Sequence, residues 1–169
     1  MKTENGYLKN YLTQIVTALD IEPDFSGVKK EICFPNNRVV FKEETPLVTI
    51  GFEKLDFSSA GLCDFVGNTT DLDGNPYESY GKRCDISLVF SIFSPLKDGG
   101  EGVYNLASSL CDFLSFSGVV FPKNILCSEV VYNTQSRCYQ MKVTALVPTL
   151  VLYEQKAEQI SNIIIRSVK

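Results

Sequence analysis

Residues 84–114 read CDISLVFSIFSP, then LKDGGEG, then VYNLASSLCDFL. In the first piece Ile86, Leu88, Phe90 and Ile92 fall on one face of a strand. Asp85, Ser87 and Ser91 fall on the other, with Val89 and Phe93 as exceptions. In the last piece Val103, Leu106, Ala107, Leu110, Phe113 and Leu114 lie on one helical stripe. A period of two followed by a period of 3.6 across a glycine-rich turn predicts a strand–turn–helix unit, with its helix over residues 102–115. The unit is dense in apolar positions and poor in reactive ones. It is the expected core, not the expected site.

Working back toward the N-terminus, Glu4 to Leu19 predicts a helix. Leu8, Tyr11, Leu12, Ile15, Val16 and Leu19 recur at its apolar spacing. Pro23 ends it, because the residue before a proline avoids the helical region. Val28–Phe34 reads as a short strand before the Pro35–Asn36–Asn37 turn signal. Arg38–Lys42 and Pro46–Phe57 read as a hairpin about a charged turn. Gly51, inside the second of these strands, signals a bulge or a close approach. Ser58–Lys82 is less regular. Leu62–Val66 suggests a short strand, and GNTTDLDGNPYESYGK at 67–82 reads as a polar surface loop.

Toward the C-terminus, Ile125–Asn133 and Cys138–Tyr153 read as two strands with a turn near Thr134–Arg137. Tyr139, Met141, Val143, Ala145 and Val147 share one face of the second. On the other face Gln140, Lys142 and Thr144 give way to Leu146, Leu150 and Leu152, which predicts burial on both sides there. Pro148 cannot donate to a ladder and points to an edge or a bulge. Glu154–Lys169 opens with polar EQKAEQ and ends with Ile163, Ile164 and Ile165 before Arg166. Such a β-branched terminus either closes its own sheet or adds to a neighbour's edge. The expected fold is α+β: a mixed, mainly antiparallel sheet packed against an N-terminal helix and one central helix, residues 102–115. The expected organisation is one domain over 1–153 with a C-terminal extension over 154–169.

Composition narrows the function classes. The 169 residues are 44% hydrophobic and 21% charged, which suits a folded domain. A net charge of −4 and a pI of about 4.9 argue against nonspecific nucleic-acid binding, which needs a basic surface. Lys29–Lys30 and Lys82–Arg83 are isolated pairs, expected to be solvated. The N-terminal pattern lacks the apolar run of a secretory leader, and no apolar stretch approaches the roughly 20 residues of a spanning helix. The six cysteines are therefore expected to be reduced. Cys127 and Cys138 are the pair that a hairpin could bring face to face.

Catalytic and metal signatures are missing from the pattern. The chain has no histidine, hence no His-activated thiol or hydroxyl and no His metal ligand. Cys111 lies on a flank of the central helix stripe, where burial is the expected role. The run Lys97–Gly102 precedes a helix but lacks the Lys-Ser/Thr of a phosphate loop, and Asp98 and Glu101 would repel phosphate. Acidic N-capping explains it better. Asp71, Asp73 and Asn75 start like a calcium loop, yet the required Gly and Glu positions hold Pro76 and Lys82. Glu43, Glu44, Glu53, Asp56 and Asp64 are scattered along strand-like segments and form no dyad by spacing. No catalytic, cofactor-binding or metal-ligating residue is assigned, and no enzyme activity is expected.

The order of elements resembles the tail terminator, or tail completion, proteins of tailed bacteriophages. The residues that carry the likeness are the Asp85–Pro95 strand, its turn into Val103–Leu114, and the Val130–Tyr132 and Tyr139–Val147 strands. The resemblance implies a virion protein of the tail and neck, assembled in the host cytoplasm. It implies a homo-oligomeric ring, a hexamer by family analogy, that caps the tail tube and touches tube and neck or connector proteins. DNA would pass through such a ring without being read. The competing expectation is a small-ligand-binding or regulatory domain with 67–82 as a lid.

Overall fold

The computed structural model describes residues 7–33, 44–70 and 72–156. Two helices and seven strands run in the order α1 (Tyr7–Ile21), β1 (Lys29–Ile32), β2 (Leu47–Ser59), β3 (Phe65–Thr70), β4 (Pro76–Pro95), α2 (Gly99–Phe116), β5 (Asn124–Cys127), β6 (Val131–Asn133) and β7 (Cys138–Lys156). The strands form one sheet in the order β1-β2-β4-β7-β5, with β3 paired to β4 and β6 paired to β7. The sheet is mainly antiparallel and packs against the two helices, so the α+β class holds.

The chain divides into two compact units. The first comprises Met1–Asp56 and Asp85–Thr149, and the second Phe57–Cys84 and Leu150–Lys169. Long strands β2, β4 and β7 each contribute residues to both.

In the first unit the apolar periodicities become a core. Leu12, Ile15 and Leu19 of α1, Val48 and Ile50 of β2, and Ile86, Leu88, Phe90 and Ile92 of β4 are buried. So are Val103, Ala107, Leu110, Phe113 and Leu114 of α2, and Met141, Val143, Ala145 and Val147 of β7. A smaller cluster forms from Leu47 and Cys138, with Phe93 packed against it. This accounts for Phe93, an exception to the alternation of β4. Gly51 is required by a close approach: a Cβ there would lie 2.1 Å from the carbonyl oxygen of Cys33. Helix α2 ends as expected, with Ser117 N–H donating to the Phe113 carbonyl at 3.0 Å and Gly118 at a φ of 72°.

Several expectations need correction. Among the described residues β2 lies between β1 and β4, and its pairing with β1 is parallel, Lys29 opposite Leu47 through Ile32 opposite Ile50. The expected hairpin partner, Arg38–Lys42, lies outside the described residues. The 67–82 segment is not a loop. Its ends pair as β3 and the start of β4, from Gly67 opposite Ser79 to Thr70 opposite Pro76. The stretch 125–133 is two strands rather than one, because β5 pairs at Val143–Leu146 and β6 at Cys138–Gln140. Strand β7 runs on through residues 154–156, which were expected to be a polar linker, while residues 157–169 lie outside the described set. Leu150 and Leu152 are exposed, so β7 is not buried on both sides. Pro148 is exposed and lies beyond the stretch of β7 that pairs with β5, where its missing N–H costs that pairing nothing.

Candidate interaction surface

The described residues of the second unit have β structure with little apolar burial. Among its described residues only Ser79, Gly81 and Cys84 are buried. Phe57, Leu62, Phe65, Val66, Leu72, Leu150, Val151 and Leu152 are all exposed, Leu62 at 89%. Gly81 shows how part of this surface is built. A Cβ at Gly81 would meet Leu152 Cδ2 at 2.7 Å and Val66 Cγ2 at 3.2 Å, so the glycine leaves room for both side chains to flank it. Phe65 instead makes an edge contact with Tyr80, ring centroids 5.7 Å apart. Scattered exposed apolar residues are ordinary, but clustered ones mark interaction sites.

The turn into β3 is shaped by steric necessity. Gly61 is required there, since a Cβ would lie 2.3 Å from the Phe65 carbonyl oxygen. Cys63 and Asp64 then take φ values of 53° and 64°, the left-handed region that L side chains rarely adopt. The ion pair from Lys82 Nζ to Asp64 Oδ2, 2.6 Å, ties this turn to β4. Lys82 beside it holds the Asp64 carboxyl below its usual range. Strain of this kind persists where surrounding contacts over-determine it. It presents Leu62 to solvent at the tip.

The first unit offers a groove of about 220 Å³ lined by Ser91, Phe93, Ser128, Glu129, Val131, Gln140, Met141 and Lys142. That is below the roughly 300–1,000 Å³ of small-molecule sites. Two of its polar residues are already engaged: Lys142 Nζ pairs with Glu53 at 2.5 Å, and Lys142 N–H donates to Ser128 Oγ at 2.9 Å.

The carboxylates considered from sequence do not converge either. Glu53 pairs with Lys142, Asp56 with Lys54 at 2.8 Å, and Asp64 with Lys82. Glu44 is exposed, and Glu43 and Asp71 lie outside the described residues. Asp73 and Asn75 sit in the β3–β4 connection, where Gly74 has a φ of 82°. Among the described residues no three His, Cys, Asp or Glu side chains are placed to hold a metal ion. Asp98 stands at the N-cap of α2 but its side chain makes no capping hydrogen bond, so only its charge can favour the helix end.

Lys30 corrects the solvated-pair expectation. Its side chain is 8% exposed, and its ammonium bridges Asp20 Oδ1 at 2.8 Å and the Phe25 carbonyl at 2.9 Å. It thus joins the end of α1 to β1. Lys29, its neighbour, is exposed beside Glu31. Sequence alone hid this, because alternation along a four-residue strand cannot say which lysine turns inward.

The described cysteines are free, and the pair that a hairpin could bring face to face is not the pair in contact. Cys127 is opposite Val143 and Cys138 opposite Asn133, so the two do not face each other. Cys127 Sγ lies instead 3.6 Å from Cys111 Sγ on α2. Burial, then Cys127 and Asp112, push the Cys111 thiol up to about 11. Burial also raises Cys33 and Cys138. None of these three is activated as a thiolate nucleophile.

No protein-family model matches the chain, and no curated protein matches it. Among the described residues, no helix is long and apolar enough to cross a membrane.

Proposed function

We propose that this protein is a non-enzymatic structural assembly subunit of the phage tail-terminator type. In this reading it is a virion protein that forms a homo-oligomeric ring capping a tail tube and joining it to the neck. The second unit contributes the surface that meets neighbouring copies. The observation that carries the reading is the inversion of burial there: paired strands expose Leu62, Val66 and Leu152 while almost nothing among the described residues is buried. Covering such a surface with a second copy removes apolar area from water, and where the contact is head-to-tail and its rotation closes, the product is a ring. The α+β element order supports the family reading, and the acidic balance suits a channel that DNA slides through. The ligand-binding reading loses its lid, because 67–82 pairs as a hairpin, and the groove in the first unit is small.

Size-exclusion chromatography with light scattering, followed by negative-stain microscopy, tests this. The expected result is a concentration-dependent multimer with ring-shaped particles, lost in the Leu62→Asp/Val66→Lys double variant. A wild-type chain that stays monomeric at the highest attainable concentration and shows no rings sinks the reading.

A further inference from the structure

We propose that Cys111 and Cys127 form a reversible intramolecular disulfide by exchange with a small-molecule disulfide such as oxidised glutathione. The inference is independent of the assembly role. It stands on placement: Cys111 is half-buried in the body of α2, Cys127 is exposed on β5, and their sulfurs are 3.6 Å apart. Strand β5 is the end strand of the sheet order and only four residues long. It needs to move little to bring the sulfurs to a bond of about 2.05 Å.

Exposure sets the order of events. The Cys127 thiolate attacks one sulfur of oxidised glutathione. That disulfide breaks, one glutathione thiolate leaves, and a mixed disulfide remains on Cys127. Cys111 then loses its proton, and its sulfur attacks the Cys127 sulfur. The Cys111–Cys127 bond forms and the second glutathione thiolate leaves. The two protons lost from the protein thiols end on the two glutathione thiols. The protein is oxidised by two electrons and the glutathione disulfide reduced by two. The raised pKa of Cys111 makes its deprotonation the more demanding requirement. Structural zinc is a poor competitor, since it wants four ligands and no third candidate ligand is placed beside the two sulfurs among the described residues.

The new bond would clip the end strand to α2 and close the chain between them. For a loop of this length the constraint on the unfolded chain corresponds to a rise in Tm of roughly 6–12 °C.

The sequence makes the test direct. Tryptic cleavage after Lys97, Lys123 and Arg137 places Cys111 alone in peptide 98–123 and Cys127 alone in peptide 124–137. The full-length protein is incubated with oxidised glutathione, alkylated, digested and mapped by mass spectrometry, with thermal melts run in parallel. The expected result is the 98–123/124–137 pair and the raised Tm, both reversed by dithiothreitol. The Cys127→Ser variant should lose both responses while keeping the reduced protein's Tm. Glutathione that remains on Cys127 with no cross-linked pair overturns the proposal. So does a pair found only in covalent dimers, or a Tm rise that persists in Cys127→Ser.

Discussion

In the first unit Phe90, Leu110 and Val143 are sealed from solvent, whereas in the second Leu62, Val66 and Leu152 face it. Both units use paired strands, and three of those strands supply residues to each. The difference is therefore not secondary structure but what lies against it. Helices α1 and α2 both belong to the first unit, and no helix of comparable length belongs to the described part of the second. A sheet face without a covering layer leaves its apolar residues in water until another surface arrives. The buried core belongs to one unit and the exposed apolar surface to the other.

The largest expected effect tests the first half of that contrast. Phe90→Ala, at a fully buried position, should cost about 3–5 kcal/mol in urea unfolding. A cost near zero would mean that the first unit's core is not closed. Lys30→Ala comes next. It leaves Asp20 and the Phe25 carbonyl without their shared donor, and a loss of about 1–2 kcal/mol is expected by the same measurement. Cys63→Gly moves the other way. Glycine relieves the left-handed backbone at a φ of 53° but loosens the unfolded chain, for a net gain of about 0.5–1 kcal/mol. Leu62→Ser should change the monomer's stability by less than about 0.5 kcal/mol, because the side chain is exposed. Its effect should instead appear as weaker self-association in light scattering. If Leu62→Ser destabilised the chain like a core truncation, the contrast between the units would collapse.

The parts of the fold that were legible in sequence are those where one face is buried and the other is not. The stripe of Leu12, Ile15 and Leu19, the alternation of Ile86 to Ile92 and the stripe of α2 all became core. The hairpin at 65–80 was not read, although its signals were present. Thr69, Thr70, Tyr77 and Tyr80 are strand formers, and Asp73–Gly74 is a turn pair between them. Its polarity reads as a loop because neither face is packed on a core. In β4 the inward positions run Ser79, Gly81, then Cys84 and Ile86, so alternation slips by one residue at Lys82–Arg83. That slip hides the continuity of a 20-residue strand. The exposed surface was legible only in part. The polarity of 67–82 marks surface, but which apolar residues of 57–72 meet solvent depends on what lies against the sheet, which local pattern does not encode. The Cys111–Cys127 contact joins a helix to an end strand, and no local pattern encodes such a meeting.

The place of β4 between β2 and β7 has a consequence for synthesis. Strand β2 precedes β4 in the chain, but β7 follows it only after α2, β5 and β6. On the ribosome one edge of β4 therefore waits for its partner. At about 5–20 residues per second, the interval between the end of β4 and the end of β7 is on the order of 3–12 s. During that time the apolar face around Phe90 stands beside an unpaired backbone edge, a template for pairing with another nascent chain. Slower translation or lower temperature would lengthen the exposure, and a chaperone that shields strand edges would shorten its effect.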